Sequence, residues 1–190
     1  MKSFRTSCFC LFVLASITVV NAADFEAALS SDTAEFTFRS DSSIIGWGGA
    51  DLALSLFYND DSDFIGQASL IQMRQASEET PLTFGVGVKA YLGTLDDPGD
   101  DVAALAIGGE VRYTIPGTMP MAVYGRGFWA PDITSFLDAE GVLDYTIGFQ
   151  IEALPQTVAF VGIRHLEFDL DGGDYEADDD NIHIGVRLTF

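Results

Sequence analysis

The chain has 190 residues with 29 Asp+Glu against 9 Lys+Arg, a formal net charge of -20, yet 48% of its residues are apolar and 12% aromatic. That acidity repels nucleic acid and excludes it as a partner, while the apolar content excludes an acidic disordered chain. Acid and apolar residues must therefore be segregated along the sequence.

The first segment reads as a secretory signal peptide over residues 1–22. Lys2 and Arg5 form a basic start, Cys8 to Val20 is an apolar run, and Val20-Asn21-Ala22 offers small residues for cleavage after Ala22, with Ala23 as the alternative. The apolar run is shorter than the roughly 20 residues of a membrane-spanning helix. Both cysteines, Cys8 and Cys10, lie in this segment, so residues 23–190 contain no thiol, disulfide or Cys metal site. Removing 1–22 takes away two bases and no acid and leaves a net charge near -22.

From residue 23 onward, bulky and small residues alternate with period two, the mark of strands with two unlike faces. The expected strands are 24–30 and 33–40, then 50–58, 64–74, 82–92, 103–113, 119–129, 143–153, 157–168 and 181–190. Leu82, Phe84, Val86, Val88 and Leu92 share one face of their strand, opposite Gly85, Gly87, Lys89 and Tyr91. Ile182, Ile184, Val186, Leu188 and Phe190 do the same opposite His183, Gly185 and Arg187. Strands of 9–11 residues suffice to cross a bilayer.

The connections 59–63, 93–101, 130–142 and 169–180 are acidic, and those at 75–81, 114–118 and 154–156 carry Pro and few charges. Counting back from Phe190 puts every acidic loop at one end and every Pro-containing turn at the other. The expectation is an all-β, antiparallel up-and-down transmembrane β-barrel of a Gram-negative outer membrane, with short periplasmic turns and acidic outer loops. It has ten strands if 24–40 joins the barrel and eight if it does not. The polar faces carry mainly Gly, Ala, Ser and Thr, which suits a cramped interior and not a solvated sandwich face. Tyr58, Tyr145, Tyr113 and Phe190 fall at girdle positions near strand ends.

The closing strand Asn181–Phe190 resembles the last strand of outer-membrane proteins, which the barrel-assembly machinery is thought to recognise. Residues 53–61, 85–91, 106–113 and 161–164, together with that strand, resemble the YfaZ family of predicted outer-membrane proteins. The resemblance implies the barrel and its location. It implies no activity and no functional residue.

Two groups could carry chemistry. Glu110, Arg112, Arg126, Glu152, Arg164 and Arg187, with Lys89, Asp51 and His183, have the parity of an interior charge network. It would either plug the barrel or line a narrow path for small solutes, since eight or ten strands leave little bore. The run holding Asp169, Asp171, Asp174, Glu176, Asp178, Asp179 and Asp180 could supply oxygen ligands to Ca²⁺ or Mg²⁺, although it lacks the EF-hand spacing. Such ions would bridge the acidic rim to lipopolysaccharide phosphates. No other cofactor is expected. His165 and His183 are the only histidines and neither lies in a His-x-Ser motif, so an enzyme is not expected. His165 is out of phase with Arg164 and should face lipid or mark a bulge. The expected role is a structural or envelope-maintenance barrel, with a narrow channel and a lipid-modifying enzyme as alternatives.

Overall fold

The computed structural model describes residues 23–45, 49–77, 80–96 and 99–190. The signal-peptide reading of 1–22 lies outside them. The described strands are β1 (Ala23–Leu29), β2 (Thr33–Asp41), β3 (Asp51–Asn59), β4 (Phe64–Ser77), β5 (Thr80–Thr94), β6 (Asp101–Ile115), β7 (Met121–Ala130), β8 (Ser135–Leu137), β9 (Ala139–Leu154), β10 (Thr157–Leu170) and β11 (Gly173–Thr189). All pairings are antiparallel. β5 pairs with β6 and β1 with β11, so the sheet closes on itself. Ten strands form the wall, and β8 is a short addition against the start of β6. The count is ten and not eight because the N-terminal hairpin supplies the seam. Ala23 and Phe190 exchange backbone hydrogen bonds at 3.0 and 2.9 Å, which leaves no open strand edge there.

The turns show why the chain reverses where it does. Ser30 Oγ accepts from the Thr33 amide at 2.8 Å and the Asp32 amide at 3.2 Å, closing β1 onto β2. Leu154 pairs with Thr157 across Pro155-Gln156, with Gln156 at φ 65°. Ala23 and Phe190 lie at the end that carries this Pro turn, called the termini end below; the opposite end is called the far rim.

The alternation is realised with the apolar faces outward. Leu54, Leu56, Val86, Val88, Ile107, Ile147, Ile182 and Ile184 are exposed, while Ser55, Phe57, Lys89, Ala106, Thr146, His183 and Arg187 are buried. Of the four expected girdle residues, Tyr58, Tyr113 and Phe190 are exposed near strand ends, whereas Tyr145 is half-buried and stacked on His165. A water-soluble sandwich places such side chains between its sheets; here they coat the outside.

Three expectations need correction. Residues 169–180 are not a free loop: β10 runs to Leu170 and β11 begins at Gly173, so most of the acidic run is strand above the main wall. Residues 130–142 hold a 3-10 turn at Asp132–Thr134, β8 and the start of β9. The interior is not uniformly small and charged either. Its half nearer the far rim is packed with Phe57, Ile65, Tyr91, Leu95, Val102, Phe128, Leu166 and Phe168.

Candidate functional site

The interior gathers charged side chains from nearly every strand of the wall, and it is built in layers. Toward the termini end, Glu26 of β1 accepts from Arg187 Nε at 2.8 Å and lies 3.6 Å from Arg39 of β2. On β6, Glu110 and Arg112 pair at 2.5 Å. Arg126 of β7 stands in the field of Glu110, Glu26 and Glu35. Among the described residues no carboxylate oxygen approaches it within 4.0 Å, and its buried Nε has no acceptor.

The middle layer is tighter. Lys89 Nζ donates to Asp144 at 2.6 Å and Tyr91 donates its hydroxyl to the same oxygen at 2.7 Å. The Lys89 ammonium also lies 4.9 Å from the Tyr91 ring centre and 5.6 Å from that of Phe128, positions where a ring face favours a cation. Arg164 donates to Asp178 at 2.6 Å, to Thr33 at 2.8 Å and to Glu35, and lies over the Phe57 ring. Cations removed from water need such partners, because an isolated buried charge is costly.

At the far rim, the apolar packing is capped by a polar hub. Asp63 accepts from Asn59 Nδ2 and the Tyr175 hydroxyl, both at 2.7 Å, and from the Asp96 amide at 3.0 Å. It is fully buried, although it belongs to the connection 59–63 expected as an acidic outer loop. Burial and the Asp63 carboxylate push the Tyr175 phenol up. A recess of about 270 Å³ at the termini end is lined by Asp24, Arg39, Asp51 and Arg112. Another of about 260 Å³ at the far rim is lined by Asp32, Asn59, Asp60 and Glu176.

The structure therefore brings Glu110, Arg112, Arg126, Arg164, Arg187 and Lys89 into the interior. Glu152 is exposed and makes no ion pair among the described residues. Asp51 lines the recess at the termini end, and His183 is buried against Phe160. The seven acids of 169–180 do not converge: Asp178 faces inward to Arg164, while Asp169, Asp171, Asp174, Glu176, Asp179 and Asp180 are exposed. Sequence reasoning missed Glu26, Glu35, Arg39, Tyr91, Asp144 and Asp178 as members of the network. Strand parity was the available signal for the first two, since each alternates with outward Phe25 or Phe36.

These features define a closed ten-stranded β-barrel with an apolar exterior and an ion-paired interior. The chain belongs to the YfaZ family: the family model described as "YfaZ precursor" matches residues 1–190. No curated protein matches it in sequence. Among solved structures it is similar to the outer membrane channel DcaP of Acinetobacter baumannii, with 13% identity and a TM-score of 0.40, over 87% of this chain and 54% of that one. The chain thus spans about half the length of that channel.

Proposed function

We propose that the chain is exported to the outer membrane of a Gram-negative cell and serves there as a structural, envelope-maintaining barrel with a closed lumen. The observation that carries this reading is the Lys89–Asp144–Tyr91 and Arg164–Glu35–Asp178 layer, backed by the apolar packing around Phe57 and Phe168. A solute would have to break buried ion pairs to pass. The apolar exterior supports burial in hydrocarbon, where a closed barrel satisfies every backbone group. The acids on the far rim would recruit Ca²⁺ or Mg²⁺ and through them lipopolysaccharide phosphates, since rim and lipid otherwise repel each other. The barrel-assembly machinery would engage β11 and Phe190. The proposal assigns no catalytic role.

The test is planar-bilayer conductance of the purified protein. The reading expects a silent membrane; a steady, reproducible open level would refute it. The second reading, a narrow path for ions, is favoured by Arg126, a cation without a close carboxylate between the two recesses. It expects an open level whose size and anion preference fall in Arg126→Met.

A further inference from the structure

One histidine has no role in either the wall or the lumen. His165 follows Val161 and Ile163 at alternate positions of β10, and those two are 42% and 44% exposed on the apolar exterior. His165 shares their outward face and yet is only 8% exposed. One side is covered by Tyr145, its register partner on β9, stacked at 5.0 Å between ring centres. The other is covered by a bulge in β11. Arg164 pairs with Asn181 and Leu166 with Asp178, so Asp179 and Asp180 are left over, and Asp180 takes φ 48°. The sequence expectation of a bulge at His165 is met on the neighbouring strand.

The bulge presents acid to the imidazole. Asp180 Oδ1 accepts the Tyr145 hydroxyl at 2.7 Å and lies 3.8 Å from His165 Nδ1. That is too far for a hydrogen bond, and the buried Nδ1 has no partner. The other ring nitrogen, Nε2, lies 3.4 Å from Glu167 Oε2. One donor atom each from His165, Asp179 and Asp180 lies within 4.8 Å of the others. Donors around one tetrahedral ion sit about 3.3 Å apart, given metal–ligand bonds of about 2.0–2.2 Å. Asp180 Oδ1, held by Tyr145, is already 3.8 Å from Nδ1, so a rotation of the exposed Asp179 side chain with a shift of about half an ångström at Asp180 would close the difference.

We propose that His165, Asp179 and Asp180 form a binding site for a borderline transition-metal ion such as Zn²⁺ on the outer face of the far rim. Glu167 Oε2, 3.4 Å from Nε2, is the carboxylate placed behind the ring to orient it with Nδ1 toward the ion, as carboxylates commonly do behind metal-binding histidines. Tyr145 fixes Asp180. One nitrogen and two carboxylates suit Zn²⁺ over Mg²⁺ or Ca²⁺, which prefer all-oxygen shells. The ion would clamp β10 to the bulge of β11. The site shares two acids with the rim-cation reading but does not rest on it, and it is independent of whether the lumen conducts.

The test is calorimetric titration of the detergent-folded protein with Zn²⁺ and, separately, Mg²⁺, together with the visible spectrum of the Co²⁺ form. The wild type should take one Zn²⁺ and show the absorption of nitrogen-ligated Co²⁺. His165→Gln should weaken Zn²⁺ at least tenfold and remove that absorption while leaving any Mg²⁺ binding unchanged. Gel mobility with and without heating reports folding; should His165→Gln fail to fold, Asp179→Asn, an exposed position, should by itself weaken Zn²⁺ at least tenfold. Absence of saturable Zn²⁺ binding to the wild type would overturn the proposal. So would unaltered Zn²⁺ affinity in the folded variants, which would leave only diffuse attraction to the acidic rim.

Discussion

Arg164 on β10 and Glu35 on β2 are joined across the lumen, and the same guanidinium takes Asp178 on β11. One side chain thereby ties the N-terminal hairpin to the C-terminal hairpin from inside. Its side chain is 6% exposed, and Glu35 and Asp178 are 18% and 1% exposed. Arg164→Met therefore leaves two carboxylates without their cation in a site shielded from water. Losing one partner of a buried pair costs about 3–5 kcal/mol. A fall of that size in the urea unfolding free energy is expected, with the slope unchanged. Arg164→Lys, which keeps the charge but not the fork, should fall between the two.

Lys89 and Asp144 should behave as a coupled unit. Lys89→Met alone strands a buried carboxylate, and Asp144→Leu alone strands an ammonium. The double variant removes both charges and should recover most of the loss, since well-packed apolar replacements of buried pairs are often close to neutral. A double-mutant cycle on unfolding free energies measures the coupling. Additive single effects would mean that the two groups do not depend on each other.

Gly87 of β5 faces Gly108 of β6 in register. A Cβ on Gly108 would lie 2.0 Å from the Gly127 carbonyl oxygen and 2.7 Å from Phe128 Cα. Both are backbone atoms and cannot swing away. Gly108→Ala should therefore displace β7, costing about 1–3 kcal/mol as overpacking does. The refolding yield in detergent and the unfolding midpoint check it; Gly172→Ala, with nothing within 4 Å of its Cβ, is the comparison and should leave both unchanged.

At the far rim, Glu140 holds its proton more strongly than an ordinary carboxylate, first because it shares a hydrogen bond with Asp171 and then because of the Asp171 charge. A raised carboxyl pKa stabilises the fold fully below the ordinary carboxylate range and loses that contribution as pH rises through the raised value. Near neutral pH the two acids repel. Glu140→Gln should therefore slow amide exchange at the Asp171-Gly172 turn at neutral pH and have little effect at pH 3. Slower exchange only at the acidic end would contradict the pairing.

The sequence revealed the barrel because β3, β5, β6, β9 and β11 place a bulky residue at nearly every second position, as an apolar exterior around a closely packed interior requires. It did not settle ten strands against eight, because β1 has only seven residues and its inward Glu26 and Ala28 look unremarkable until Arg187 and Arg39 are placed beside them. Ile65, Leu166 and Phe168 were illegible as interior packing. Apolar residues on both faces, as at Phe64-Ile65, erase the period that distinguishes outside from inside. Asp63 and Asp178 were read with the acids of the outer loops because composition cannot distinguish a carboxylate in water from one held by Tyr175 or Arg164. β8, with three residues, is too short to show any period. His165 was legible as an anomaly, though its partners were not, since they come from a bulge on another strand.

The central claim is that bulky side chains of the wall meet hydrocarbon while the alternate set meets the packed interior. Residues 23–190 contain no cysteine, so single spin labels can be placed at successive positions 182–188 of β11 in lipid vesicles. Collision with dissolved oxygen, which concentrates in hydrocarbon, should be high at 182, 184, 186 and 188 and low at 183, 185 and 187. A flat profile, or the opposite alternation, would contradict the arrangement.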